Sequence, residues 1–146
     1  MRQTIMFHFQ AYVILLAMAF VVGNSIRLPL PFRTFHVRVE NSLAGGKILN
    51  VHCKSGDNDL GLHRLRPNNH QEFAFKMNYL GTTLFWCTLT QGNRYASFEV
   101  FKPDSEFFYD KCGGGDTCAW RAQEDGIYLL RTDQNKWNIM YTWATN

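Results

Sequence analysis

The chain has 146 residues and a formal net charge of +3, with 18% charged and 15% aromatic residues. Its lysines and arginines are scattered rather than clustered, which argues against a nucleic-acid or anionic-lipid surface. It has one long apolar run, near the N-terminus and too short to span a bilayer, so membrane insertion is not expected.

That run is the first element. Met1 and Arg2 supply a positive start, and residues 11–22 (AYVILLAMAFVV) form an unbroken apolar stretch of 12 residues. The length suits the core of a secretory signal peptide rather than a transmembrane helix. Small residues at Gly23 and Ser25 fit cleavage there, with Ala17-Met18-Ala19 as a competing site. Residues 1–25 are therefore expected to be removed, leaving 26–146 as a single domain secreted to the extracellular space. Loss of Arg2 takes the charge from +3 to +2, and about 120 residues suffice for one domain with a real core.

Residues 26–33 (IRLPLPFR), with two prolines, read as an extended lead-in. Period-two alternation then begins. In 34–40 (TFHVRVE), Phe35, Val37 and Val39 face one way, and His36, Arg38 and Glu40 the other. Residues 48–53 put Leu49, Val51 and Cys53 on the apolar face, and 72–77 align Phe73, Phe75 and Met77. Such alternation marks half-buried antiparallel strands. Residues 82–89, 96–101 and 126–131 are more apolar and suit strands covered on both faces or near the sheet centre. Residues 137–143 place Trp137, Ile139, Tyr141 and Trp143 on one side. Turn signals fall between these segments at 44–46, 55–57, 67–69, 91–93, 103–104, 113–115 and 125–126, with 113–115 read as a hairpin tip. No sustained helical period occurs after the leader. The reading is an all-β fold: a disulfide-stabilised antiparallel β-sandwich of about eight strands.

Four cysteines, Cys53, Cys87, Cys112 and Cys118, all follow the leader. An even number behind a secretory signal implies two disulfides. Three pairings are possible. The chain-entropy argument mildly favours a long-range bridge, about 4 kcal/mol for Cys53 to Cys118 against about 2 for Cys112 to Cys118, though geometry decides.

The stretch 51–61 (VHCKSGDNDLG) offers ligand-like residues. A calcium loop opening at Asp57 needs glycine at 62 and glutamate at 68, where the chain has Leu62 and Asn68. Zinc through His52, Cys53 and His63 lacks ligand spacing, and His52 and Cys53 point to opposite strand faces. His36 and His52 with Lys54 or Lys76 are the residue types of ribonuclease-like acid–base chemistry, with no spacing to support it. Gly113-Gly114-Gly115-Asp116 lacks the Lys-Ser/Thr of a phosphate loop. An exposed aromatic such as Tyr95 or Tyr141 would anchor a carbohydrate, which makes a cell-wall-binding module the alternative function. Trp86, Trp120, Trp137 and Trp143 fall in strand patterns, where core packing is expected. There is no N-x-S/T sequon. No catalytic residue, metal or cofactor is called for.

Taken together, 37–43 (VRVENSL), 49–61 (LNVHCKSGDNDLG), 73–89 (FAFKMNYLGTTLFWCTL), 98–101 (FEVF), the C-x₅-CAW segment at 112–120 and 124–129 (EDGIYL) resemble the plant self-incompatibility protein, or S-protein homologue, family. The resemblance implies a disulfide-stabilised β-sandwich of antiparallel strands with variable loops. It also implies a secreted, non-enzymatic signal that binds a plasma-membrane receptor or another cell-surface protein. A rigid cross-linked scaffold can carry variable loops at little cost to its core. The candidate recognition loops are 55–60, 66–70, 90–94 and 102–106, with Asp57, Asn58, Asp59, Arg66, Asn68, Asn69, Asn93, Arg94 and Asp104 as their polar residues. A monomer is expected.

Overall fold

Alternating apolar side chains need one buried face, and two sheets supply it by packing their apolar faces together. The structure, a computed structural model, describes residues 33–104 and 106–145. The expected leader at 1–25, the lead-in as far as residue 32, and Ser105 lie outside the described residues. The strands are β1 (Thr34–Asn41), β2 (Leu49–Ser55), β3 (Asp59–Leu65), β4 (His70–Lys76), β5 (Phe85–Gln91), β6 (Arg94–Phe101), β7 (Thr117–Ala122), β8 (Ile127–Arg131), β9 (Lys136–Tyr141) and the two-residue β10 (Ala144–Thr145). One sheet has the order β4-β1-β7-β8-β9, and the other β10-β6-β5-β2-β3. Neighbours run antiparallel except β1 and β7, which pair in parallel with His36 opposite Thr117 and Asn41 opposite Ala122.

The core lies between the sheets. Phe35, Val37 and Val39 of β1 face Val51 and Cys53 of β2, Leu89 of β5 and Val100 of β6, all fully buried. Trp120 of β7 is also fully buried, and its indole N–H donates to the Val100 carbonyl at 3.0 Å. Phe35, Phe75, Phe85 and Phe101 form a ring cluster toward one end, with Phe75 and Phe85 centroids 4.5 Å apart. Between β6 and β7 a single π-helical turn, Glu106–Lys111, buries Phe107 and Phe108.

The disulfides join Cys53 to Cys87, 34 residues apart, and Cys112 to Cys118, 6 residues apart. The long-range preference from chain entropy does not decide the pairing; strand register does. Cys53 and Cys87 are directly opposed on β2 and β5, whereas Cys118 sits on the other sheet.

Four further expectations are corrected in whole or in part. β5, β6 and β8 lie inside their sheets, as one of the two readings had it, but are not covered on both faces: on β5, Trp86, Thr88 and Thr90 alternate half-buried with buried Phe85, Cys87 and Leu89. A two-layer sandwich gives each sheet one inner face only. Gly113–Gly115 is no hairpin tip, because β7 pairs with β1 and β8 rather than with β6, the strand just before it. Gly113 instead lies against Thr132 and Asp133, so tightly that a Cβ would meet the Asp133 amide nitrogen at 2.7 Å. On β9, Met140 packs against the core while Ile139 is 49% exposed. A register shift between Ile127 and Tyr128 accompanies this change of face. Of the four tryptophans only Trp120 is fully buried; Trp143 packs half-buried against the core with the Arg94 guanidinium 5.1 Å from its ring centroid, and Trp137 lies under the Arg121 guanidinium at 4.0 Å.

Candidate recognition site

Strand direction divides the connections between the two ends of the sandwich. One end carries 42–48, 66–69, 92–93, 123–126 and 142–143. The other carries 56–58, 77–84, 102–116 and 132–135. The candidate loops are thus not one cluster. Arg66, Asn68, Asn69, Asn93 and Arg94 lie at the first end, and Asp57, Asn58, Asp59 and Asp104 at the second.

The first end is tied together by its own polar groups. Asn41 is fully buried, and its amide donates to the carbonyls of Lys47 and Leu65, each at 2.9 Å, while its side-chain oxygen accepts from the Leu43 N–H at 3.0 Å. Its backbone N–H donates to the Asn69 carbonyl, and its carbonyl accepts from Asn68. Asn68 adopts the left-handed conformation, φ +64°, which asparagine tolerates better than most residues. Glu124 is the second tie. It accepts from Lys47 at 2.9 Å, from the Ala44 N–H at 3.0 Å and from Arg94 at 3.3 Å. The Lys47 ammonium, the Ala44 N–H and Arg94 hold its carboxyl below the usual range. Arg94 also donates to Gln91 at 2.8 Å, and the Trp143 indole N–H donates to the Gln123 carbonyl at 2.8 Å. Arg94 and the backbone of Asn68 and Asn69 are therefore structural braces.

At the second end, Asp59 opens β3 rather than closing a free turn. It accepts from the His52 ring N–H at 2.6 Å, the Gly61 N–H at 2.9 Å and the Lys54 ammonium at 2.9 Å. Those partners, the Gly61 N–H first, drive its carboxyl well below the usual range. Asp104 accepts from the Phe107 N–H at 2.6 Å and pairs with Lys102 at 3.1 Å, which starts the π-helical turn and lowers its pKa. Asn58 donates its backbone N–H to the Ser55 hydroxyl at 3.1 Å. Leu60 packs against the core and anchors this turn. Asp57 has no ion-pair or hydrogen-bond partner among the described residues.

The same end holds a feature that the sequence reading passed over. Asn78-Tyr79-Leu80-Gly81 is a tight turn closed by the Gly81 N–H to the Asn78 carbonyl at 3.1 Å. Asparagine first and glycine fourth are the residues such a turn selects, and Gly81 sits at φ +64°. The Asn78 side chain donates to the Thr82 hydroxyl at 2.7 Å and accepts from the Thr82 N–H at 2.8 Å, and the Asn78 N–H donates to the Thr83 hydroxyl at 2.9 Å. On this fixed turn Tyr79 is 82% and Leu80 85% exposed, more than any other large apolar side chain among the described residues. Between this loop and the 55–58 turn runs a groove of about 480 Å³ with Phe75, Leu84 and Phe85 among its lining.

The other chemical sets do not assemble. His36 and His52 project outward from opposite sheets, His36 toward Glu72 at 3.1 Å and His52 toward Asp59. The core lies between them, so they share no substrate. Among the described residues no group of three His, Cys, Asp or Glu is placed to hold a metal ion. Tyr95 is half-buried opposite Thr90 and Ala144. The Tyr141 ring stacks on Phe98 at 4.8 Å and Trp120 at 6.1 Å, so that packing against the core takes part of it.

The sequence pattern of the family described as plant self-incompatibility protein S1 matches residues 36–143. The chain belongs to this family. S-protein homolog 3 of Arabidopsis thaliana is 34% identical over 110 residues, covering 75% of this chain and 73% of that protein. Self-incompatibility protein S1 of Papaver rhoeas is 28% identical over 131 residues, 89% of each chain. The fold matches a solved structure of SPH (self-incompatibility protein homologue) proteins, described as small, highly stable and secreted proteins from plants. The TM-score is 0.59 at 24% identity, covering 77% of this chain and 96% of that one. The family assignment accounts for the cross-linked sandwich and leaves the roles of single loop residues to be argued from this chain.

Proposed function

We propose that the protein is a secreted plant recognition ligand that works by docking its loops on a cell-surface partner, without catalysis. The observation that carries this reading is the family match across 36–143, together with a self-incompatibility relative that covers 89% of the chain. The leader at 1–25 supports secretion: its apolar run of 12 residues has the length of a signal-peptide core. The physical design agrees. Two disulfides and the Asn41 and Glu124 ties hold the sandwich, so that loop sequence can vary without loosening the core.

Replacing each loop in turn with alanines and measuring saturable binding of the labelled, oxidised protein to intact plant cells tests the reading. At least one block is expected to abolish binding while the fold survives. Unchanged binding for every block would remove loop-mediated docking as the mechanism.

A further inference from the structure

Soluble proteins seldom leave large apolar side chains standing clear of their surface on a rigid support. The 78–81 turn does so with Tyr79 and Leu80, and the Asn78 network fixes it with hydrogen bonds to Gly81, Thr82 and Thr83. Holding the turn in one shape removes part of the ordering cost that a partner would otherwise meet.

The groove beside it is complementary in character. Phe75 and Phe85, tilted against each other with centroids 4.5 Å apart, are its aromatic lining. Asp57 and Lys76 both line it, on the turn after β2 and at the end of β4, and neither has an ion-pair partner among the described residues. Nearby charges are committed: Lys54 to Asp59, and Lys102 to Asp104. A volume of about 480 Å³ falls in the range of ligand sites. The exposed apex extends the surface beyond what a small ligand covers. An aromatic lining with one free carboxylate and one free ammonium matches a chain with an apolar residue between a basic and an acidic one.

We propose that the groove and the Tyr79–Leu80 turn form one docking surface for a protein partner. The partner lays an extended peptide segment in the groove, with an apolar side chain on Phe75 and Phe85, a basic residue toward Asp57 and an acidic residue toward Lys76. Tyr79 and Leu80 press into the partner beside it. This deepens the ligand reading above and rests on it for the biological setting.

The test uses two short capped peptides, centred on Lys-Phe-Glu and on Glu-Phe-Lys, titrated into the ¹⁵N-labelled, oxidised protein. One order is expected to bind roughly tenfold more tightly, from two exposed ion pairs made in one order and unmade in the other. Its shifts should map to the groove, and the double variant Asp57→Lys/Lys76→Glu should reverse the preference. No saturable shifts, shifts confined to other surfaces, or a preference that survives the charge swap would each overturn the proposal. Cell binding separates it from the broader reading. If wild type binds cells and Tyr79→Ser/Leu80→Ser binds equally well, the docking surface is wrong and the ligand reading stands. If wild type shows no saturable cell binding, the ligand reading fails, while the peptide titration still decides the groove.

Discussion

The two ends of the sandwich use similar residues in opposite ways. At the end holding 42–48, 66–69 and 123–126, polar side chains turn inward: Asn41 satisfies three backbone groups, and Glu124 gathers Lys47, Arg94 and the Ala44 N–H. At the end holding 56–58 and 77–84, Asn78 makes as dense a network, but within its own loop. Its effect is to hold Tyr79 and Leu80 out in solvent. One asparagine welds loops to the core; the other braces a loop for display. Counting polar or charged loop residues does not tell these apart. Where their hydrogen bonds go does.

That contrast can be broken by mutation, and the effects should scale with how far each group reaches into the scaffold. The Cys53→Ala/Cys87→Ala double variant should lose about 4 kcal/mol in urea denaturation, since this bridge closes the longer loop. Cys112→Ala/Cys118→Ala should lose only about 2. Asn41→Leu falls between, at about 3 kcal/mol, because it leaves the buried Leu43 N–H and Leu65 carbonyl and the part-buried Lys47 carbonyl without this partner. Tyr79→Ser/Leu80→Ser should stay within about 0.5 kcal/mol of wild type, as expected of exposed positions. If Asn41→Leu proved neutral, the inward-turned end would not be the brace described.

Acid should act on both ends through the same kind of group. Asp59, Asp104 and Glu124 all have carboxyl pKa values below the unfolded range. Each contributes stability that is present above the unfolded carboxylate pKa, about 4, and is lost as pH falls through the lower folded value. Midpoints of thermal unfolding should therefore hold steady near pH 6 and drop below about pH 4. Asp59→Asn should shrink that drop, and a variant as acid-sensitive as wild type would show that these pairings contribute little.

Much of the fold was legible because half-buried strands write their period into the chain. β1 alternates Phe35, Val37 and Val39 with His36, Arg38 and Glu40, and the structure places the first set in the core. β3 was not legible. Only Leu65 of its seven residues is buried, and Leu62 is 63% exposed. As an edge strand it owes its form to pairing with β2, not to a pattern of its own. On β9 the register shift turned Ile139 outward, against a reading that assumed unbroken alternation. The candidate site was half legible. Asp57 stood out as a turn carboxylate, whereas Tyr79 and Leu80 drew no reading, because two adjacent apolar residues carry no surface signal of their own. The available signal was their position between Asn78 and Gly81, at the apex of a turn.

The account stands on the claim that the Tyr79–Leu80 end is the docking surface and the opposite end the brace. The most direct measurement is saturable binding to intact plant cells for three proteins: wild type, Tyr79→Ser/Leu80→Ser, and Arg66→Ser/Asn93→Ser. The last pair is exposed and has no side-chain partner among the described residues. The apex variant should lose affinity by about tenfold or more, as truncation of a buried interface anchor does, while the other stays within about twofold of wild type. Loss at Arg66 and Asn93 with full binding by the apex variant would contradict it.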